Sequence, residues 1–285
     1  MASLLATARS SGPLWARGVC IFRHMATQEP AIAMVATTSP RKPEAAPLRK
    51  FGRENPPSWI SRLLRREVLT LADADWSGEN LIMPLGDAII AVALMPAPIP
   101  WSQLEGPCAT AWWWPDAASA MKDHSNHFVV AIISGTIPKV ERRVELARIV
   151  AAVTCGTDAV GVYWGEGTLV FEPKCFDSQI RTASVNDVPV ELFVDVRGEL
   201  NDDGTSRCFT TGMESLGFRE IEIPKSVQKP TQLMEFVIDM ARYIVNNRLS
   251  IPDGDTVGTT AEVQYVVRYS KSMFPRSSVM QIDVP

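Results

Sequence analysis

Lys139 to Gly156 reads KVERRVELARIVAAVTCG, between the apolar run HFVVAIIS before it and AVGVYWGEGTLVFE after it. Leu146, Ile149, Val150 and Val153 recur at i, i+3, i+4 and i+7, the spacing that lines up one face of a helix. Arg142, Glu145 and Arg148 fall on another side, which predicts a water-facing flank. Gly156 is placed to close the helix. The runs on either side are strand-like, and AVGVYWGEGTLVFE turns at Gly165 and Gly167. A single helix between groups of strands is the pattern of an α+β fold.

The same texture extends outward. Ala31–Thr38 (AIAMVATT) predicts a first strand. The following SPRKPEAAPLRKFGRENPPS carries five prolines and many charges, a linker composition, and SWISRLLRREV after Pro57 suits one or two helical turns. VLTLADADW is strand-like from Val68. LIMPLGDAIIAVALMPAPIP reads as two strands about a Gly86-Asp87 turn, the second apolar on both sides and therefore central. VELFVDVRGELNDDGTSRCFTTG predicts a hairpin turning at Asp203-Gly204, and FREIEIP a further strand. Thr231 after Pro230 is a candidate N-cap for a helix with Leu233, Phe236, Val237, Met240 and Ile244 as its buried stripe, ended by Asn246-Asn247. VQYVVRYS and SVMQIDV close the chain as strands. The expected class is α+β: mainly antiparallel sheet, single helices packed on one face, and two similar halves. The expected division is a leader at 1–28, a first strand plus proline-rich linker at 29–67, and one globular domain at 68–285.

Composition limits the function classes. The chain of 285 residues is 46% hydrophobic and 21% charged, with a net charge of -4. That balance is globular and argues against nucleic-acid binding. The longest apolar stretch, Ala88–Trp101, is short and broken by Pro96, Pro98 and Pro100, so no membrane partner is expected. The cysteines at 20, 108, 155, 175 and 208 are odd in number and widely spaced, which fits neither a disulfide framework nor a zinc site and suits a reducing, cytoplasmic setting. Residues 1–28 lack acids while holding Arg9, Arg17 and Arg23. They read as an organellar targeting peptide or, in preference, as an over-extended start with translation beginning at Met25.

Six separated blocks carry a family likeness: MPAPIPWSQLEGPCATAWWWPDAA, the pair His124 and His127 before FVVAII, GVYWGEGTLV, FTTGMESLGFREIEIP, DGDT and SMF. In this order, over Leu81 to Val284, the chain resembles the bacterial domain-of-unknown-function family numbered 4261. The segment before Leu81 departs from it. The resemblance implies no activity, cofactor or catalytic residue. FTTGMESLGFREIEIP followed by a helix is also faintly similar to the suppressor-of-fused fold, whose members act as binding or immunity proteins.

Trp112, Trp113 and Trp114 are consecutive. Neighbours point about 100° apart on a helix and to opposite faces on a strand, so no regular conformation puts all three in one core. At least one must reach a second surface, and Pro115-Asp116 suits the start of a helix just beyond them. A binding pocket is expected here, lined by Trp101, Trp112, Trp113, Trp114, Tyr163 and Trp164 with His124 or His127 at its rim; the plainer expectation is that the indoles plug a gap between half-domains. Cys108, with Glu105 nearby, could be a nucleophile meeting His124 or His127, but the local acids oppose a thiolate and a buried inert thiol is the stronger expectation. His124-x-x-His127 lacks a third metal ligand, and structural roles are expected, His124 near a helix C-terminus and His127 opening a strand. Asp202, Asp203, Asp253 and Asp255 sit in turn sequences rather than a calcium loop, and Gly165-Glu166-Gly167 is not a phosphate loop. No metal or cofactor is expected. The function expected is a non-catalytic binding or interaction module, taking a protein or a small ligand at the Trp-rich loop. The alternatives are a cysteine–histidine enzyme using Cys108 and an immunity-type inhibitor of a toxin.

Overall fold

The helix over Lys139–Cys155 forms, and it organises the molecule. The computed structural model describes residues 29–47, 50, 80–85, 87–133, 135–258, 263–275 and 278–285. Its first sheet is built from β1 (Ala31–Thr37), β2 (Asn80–Leu85), β3 (Ala88–Met95), β4 (Asn126–Ile133), β5 (Ala159–Trp164) and β6 (Leu169–Phe171). They lie in the order β2-β3-β4-β1-β5-β6, and every neighbouring pair is antiparallel. The second contains β7 (Asp195–Leu200), β8 (Ser206–Thr211), β9 (Ile221–Ser226), β10 (Thr256–Gly258), β11 (Gln264–Lys271) and β12 (Ser278–Ile282). Its order is β10-β11-β12-β9-β8-β7, antiparallel except for the central β12–β9 pair. The fold is α+β.

The helices are α1 (Trp101–Thr110), α2 (Ala117–Lys122), α3 (Lys139–Cys155), α4 (Pro173–Thr182), α5 (Met213–Leu216) and α6 (Pro230–Asn247). No helix among the described residues is long and apolar enough to cross a membrane. One core runs through both sheets, joining Val35, Phe128 and Leu146 to Ile221, Val237 and Ile244. On the first sheet helices occupy both faces, not one as expected. Alternation along β1 sends Ala33 and Val35 toward α3, while Met34 and Ala36 join a smaller core beneath α1 and α2.

The two halves are alike only in part. In each, a three-strand meander (β2-β3-β4 or β10-β11-β12) returns beside a central strand, β1 or β9. The connections differ: hairpin β5–β6 follows α3, whereas hairpin β7–β8 precedes its central strand. The β1–β4 pair is also antiparallel and the β9–β12 pair parallel. A tandem repeat of one unit does not describe this topology.

Several local expectations are corrected. Arg142, Glu145 and Arg148 do not face water; every residue of α3 from Arg142 to Thr154 is buried. Helices α4 and α5 pack over the flank that an isolated helix would expose. Thr231 is not the N-cap of α6: Lys229 holds that position and Pro230 opens the helix, where its missing N–H has no cost. Val190–Leu192 is a 3-10 turn rather than the start of a strand. The strand expected from Val68, the helical turns after Pro57, Gly86 and the leader lie outside the described residues.

Sealing α3 forces its charges to find partners indoors. Arg142 donates to the carbonyls of Glu29 at 3.1 Å and Ile137 at 3.2 Å. Arg143 meets Glu166 at 2.6 Å. Arg148 meets Glu145 at 3.1 Å and donates to Ala183 O, just past α4, at 2.9 Å. Burial outweighs Arg148 and pushes the Glu145 carboxyl from 4.5 up to about 7. A carboxyl whose folded pKa is raised binds its proton more tightly when folded, so its share of stability is present below about 4.5 and is lost as pH rises toward 7. Urea denaturation from pH 4.5 to 7.5 should show that decline, and Glu145→Gln should flatten it by up to ~3 kcal/mol. An unchanged slope would exclude a raised carboxyl at this position.

Candidate functional site

The loop between α1 and α2 is a tight set of turns: Trp112 N donates to Thr110 O at 2.9 Å, Trp114 N to Ala111 O at 2.9 Å, and Ala117 N to Trp114 O at 3.0 Å. This winding fans the three indoles apart. Trp114 turns inward to the small core, against Leu104, Met121 and Ala36. Gly161 on β5 makes room for it, since a Cβ there would sit 2.2 Å from Met121 Sδ and 3.2 Å from Trp114 Cη2. Trp113 is half-buried. Its Nε1 donates to Val170 O at 3.0 Å, and its ring stacks on Phe171 with centroids 5.9 Å apart. Trp112 is 75% exposed and meets Trp113 edge-on at 5.7 Å.

Trp112 and Trp113 form one wall of a groove of about 940 Å³. The opposite wall comes from the second half, from Val194 and Val196 at β7 and from one face of α6. Thr231, Met234, Glu235, Ile238 and Arg242 line it at i, i+3, i+4, i+7 and i+11. The groove therefore lies between β6 and β7, the last strands of their respective sheets. Thr110 and Thr168 hold the halves together at its end: Arg197 Nη2 donates to the Thr110 hydroxyl at 3.1 Å, and the Thr168 hydroxyl donates to Asp195 at 3.5 Å.

The carboxylates around the groove differ in how far they are engaged. Asp195 pairs with Arg197 at 2.5 Å, yet burial dominates and raises its pKa. Glu191 is held by Arg242, whose Nε donates at 2.8 Å and whose Nη1 reaches Asp239 at 2.7 Å. Glu235 is exposed, without an ion pair among the described residues.

The other expected site residues lie elsewhere. Trp101, Cys108 and Tyr163 belong to the small core, with Lys122 Nζ 4.8 Å above the Trp101 ring. Trp164 is fully buried in the main core, edge-on to Phe193 at 5.2 Å. Glu105 is exposed on α1. His124 Nε2 accepts from Ile99 N at 2.7 Å, which requires the proton on Nδ1, and Nδ1 donates to Met121 O at the end of α2. His124 thus pins two segments, tying Ile99 to the end of α2. His127, the second residue of β4, hydrogen-bonds Ala97 O at 2.7 Å, and burial holds it below the usual imidazole range. Burial also pushes the Cys108 thiol up to about 11. Among the described residues no group of three or more His, Cys, Asp or Glu side chains could hold a metal ion. The α6 and β7 residues of the groove carried no functional signal in the sequence, because a half-exposed helix stripe looks like any other.

A second cleft, about 1160 Å³, opens along the same seam and is strongly charged. Its charges largely answer one another. Arg143 pairs with Glu166, and buried Glu220 accepts from the Thr210 hydroxyl at 2.6 Å and Gly212 N at 2.8 Å.

The environments of the indoles predict separable effects on stability. Trp114→Ala should cost roughly 3–5 kcal/mol. Trp112→Ala should stay within about 0.5 kcal/mol of the parent. Urea midpoints measure both, and equal losses would contradict the division between an inner and an outer indole.

No curated protein and no solved structure matches this chain. The model of one family, the domain of unknown function DUF4261, matches residues 209–283. That span runs from β8 to just past β12 and includes the α6 wall of the groove, while the tryptophan loop lies outside it. Over residues 209–283, the chain is thus similar to the DUF4261 family.

Proposed function

We propose that the chain is a non-catalytic binding module, and that it takes an apolar group into the groove beside Trp112 and Trp113. The observation carrying this reading is Trp112 itself. A large indole held three-quarters in water, at the lip of an apolar groove and edge-on to a second indole, has little folding role. Aromatic side chains in such positions are the usual anchors of recognition. The Cys108 alternative is disfavoured chemically: burial keeps the thiol protonated, and both nitrogens of His124 are already engaged. Free thiols at Cys108, Cys155, Cys175 and Cys208 support a reducing compartment such as the cytoplasm.

N-phenyl-1-naphthylamine, an uncharged apolar fluorophore, tests the groove. It should bind with enhanced emission, and Trp112→Ala should weaken it about tenfold without changing the urea midpoint. Absence of binding, or binding indifferent to Trp112, would remove the groove from consideration. Iodoacetamide tests the alternative: Cys108 should be alkylated only after unfolding, and rapid alkylation of the native protein at pH 7 would restore the enzyme reading.

A further inference from the structure

We infer that the occupant of the groove is an extended segment of a partner protein, apolar with an adjacent basic residue, laid along the free edge of β7. This rests on the reading of the groove as a binding site and specifies what fills it.

The first argument is the backbone. β6 and β7 end their sheets, and an end strand presents alternate N–H and C=O groups outward. Folded proteins usually blunt such edges. On β6 the blunting is visible, since the Trp113 indole N–H occupies the Val170 carbonyl. On β7 it is only partial. The Asp195 carboxylate takes the Val196 N–H, but among the described residues the carbonyls of Asp195, Val196 and Arg197 make no backbone–backbone hydrogen bond outside the β7–β8 ladder, and Asp195 and Val196 line the groove. An added strand satisfies that edge directly. A helix cannot, because its own backbone groups are already paired.

The second argument is the walls. Side chains of an extended segment alternate between two sides. On one side they meet Trp112 and Trp113, and on the other Met234 and Ile238 of α6. Both sides are apolar, so alternate positions at either wall accept Leu-like groups.

Charge is the third. Glu191, Asp195 and Glu235 line the groove against the single cation Arg242. Arg242 is engaged by Glu191 and Asp239, and Arg197 neutralises Asp195. Exposed Glu235 is left to a ligand. A Lys or Arg can reach it while resting its stem on Trp112, where the ring face also attracts a cation. An acidic segment would meet repulsion in the same place.

Three capped heptapeptides decide the matter with the full chain: a Leu-rich sequence with one central Lys (Leu-Lys), the same sequence with one central Glu (Leu-Glu), and the Leu-Lys peptide N-methylated at alternate backbone nitrogens. Tryptophan emission gives the affinities. The Leu-Lys peptide should bind at least about tenfold more tightly than Leu-Glu, and Glu235→Lys should reverse the preference. N-methylation should abolish binding, since it removes donors from one edge of the strand. Equal affinity for the two charges, binding that survives N-methylation, or a bound peptide with helical circular dichroism would each overturn the inference. If N-phenyl-1-naphthylamine binds and the peptides do not, the inference alone fails. If neither binds, the groove reading fails with it.

Discussion

The burial of α3 on all sides is the constraint on which the rest of the structure depends. A helix with Arg142, Arg143, Glu145 and Arg148 in its first three turns would ordinarily keep one flank in water. Here the first sheet takes one side, and α4 and α5 pack on others. Each charge must then be answered within the protein, by Glu166, by Glu145 or by loop and helix-end carbonyls. Those answers are directional and fix α3 within the first half and against the end of α4, while Lys139 Nζ to Glu214 O at 3.1 Å and Arg248 to Glu141 at 3.3 Å tie it to the second half. A core held by apolar contacts alone would tolerate sliding; hydrogen-bonded charges in low dielectric do not.

The fixed seam has consequences at its edges. The carbonyl of Phe193, just before β7, comes so near Gly167, between β5 and β6, that a Cβ there would stand 2.5 Å from it. Two sheets brought this close at one point diverge away from it. Their terminal strands then bound an open space instead of pairing with each other. The groove between β6 and β7 is thus a by-product of how the halves dock, and its walls are whatever the halves present there.

How much of this was legible in the sequence follows the range of the interactions involved. Local signals succeeded. The i, i+3, i+4 stripe of α3 is buried as its spacing indicated, as is that of α6 apart from half-buried Phe236, and the Asp203-Gly204 turn joins β7 to β8 with Gly204 at φ +81°. Signals set by tertiary contact did not. α1 was hidden because Gly106 and Pro107 stand inside it and ordinarily break helices. The arginines of α3 carry no mark distinguishing a solvated flank from one about to be covered. β1 precedes a proline-rich stretch and looked peripheral, yet it lies between β4 and β5 at the centre of its sheet. Of the expected site residues, only Trp112 and Trp113 line the groove, because the opposite wall comes from residues more than eighty positions away.

The triple tryptophan joins the two levels. Consecutive residues cannot share one environment, and here they occupy three: the small core, the edge of β6 and water. The arrangement is mechanical. Trp114 anchors the loop, and Trp113 is locked by its hydrogen bond and by Phe171. Trp112 is then held in place by its neighbours without being buried by them. Such a side chain loses little further conformational freedom when something packs on it, which removes part of the entropic penalty of association. An exposed indole on a floppy loop would face that penalty in full. Rigidity supplied from within, and apolar surface offered outward, are the features on which the proposed recognition at this corner rests.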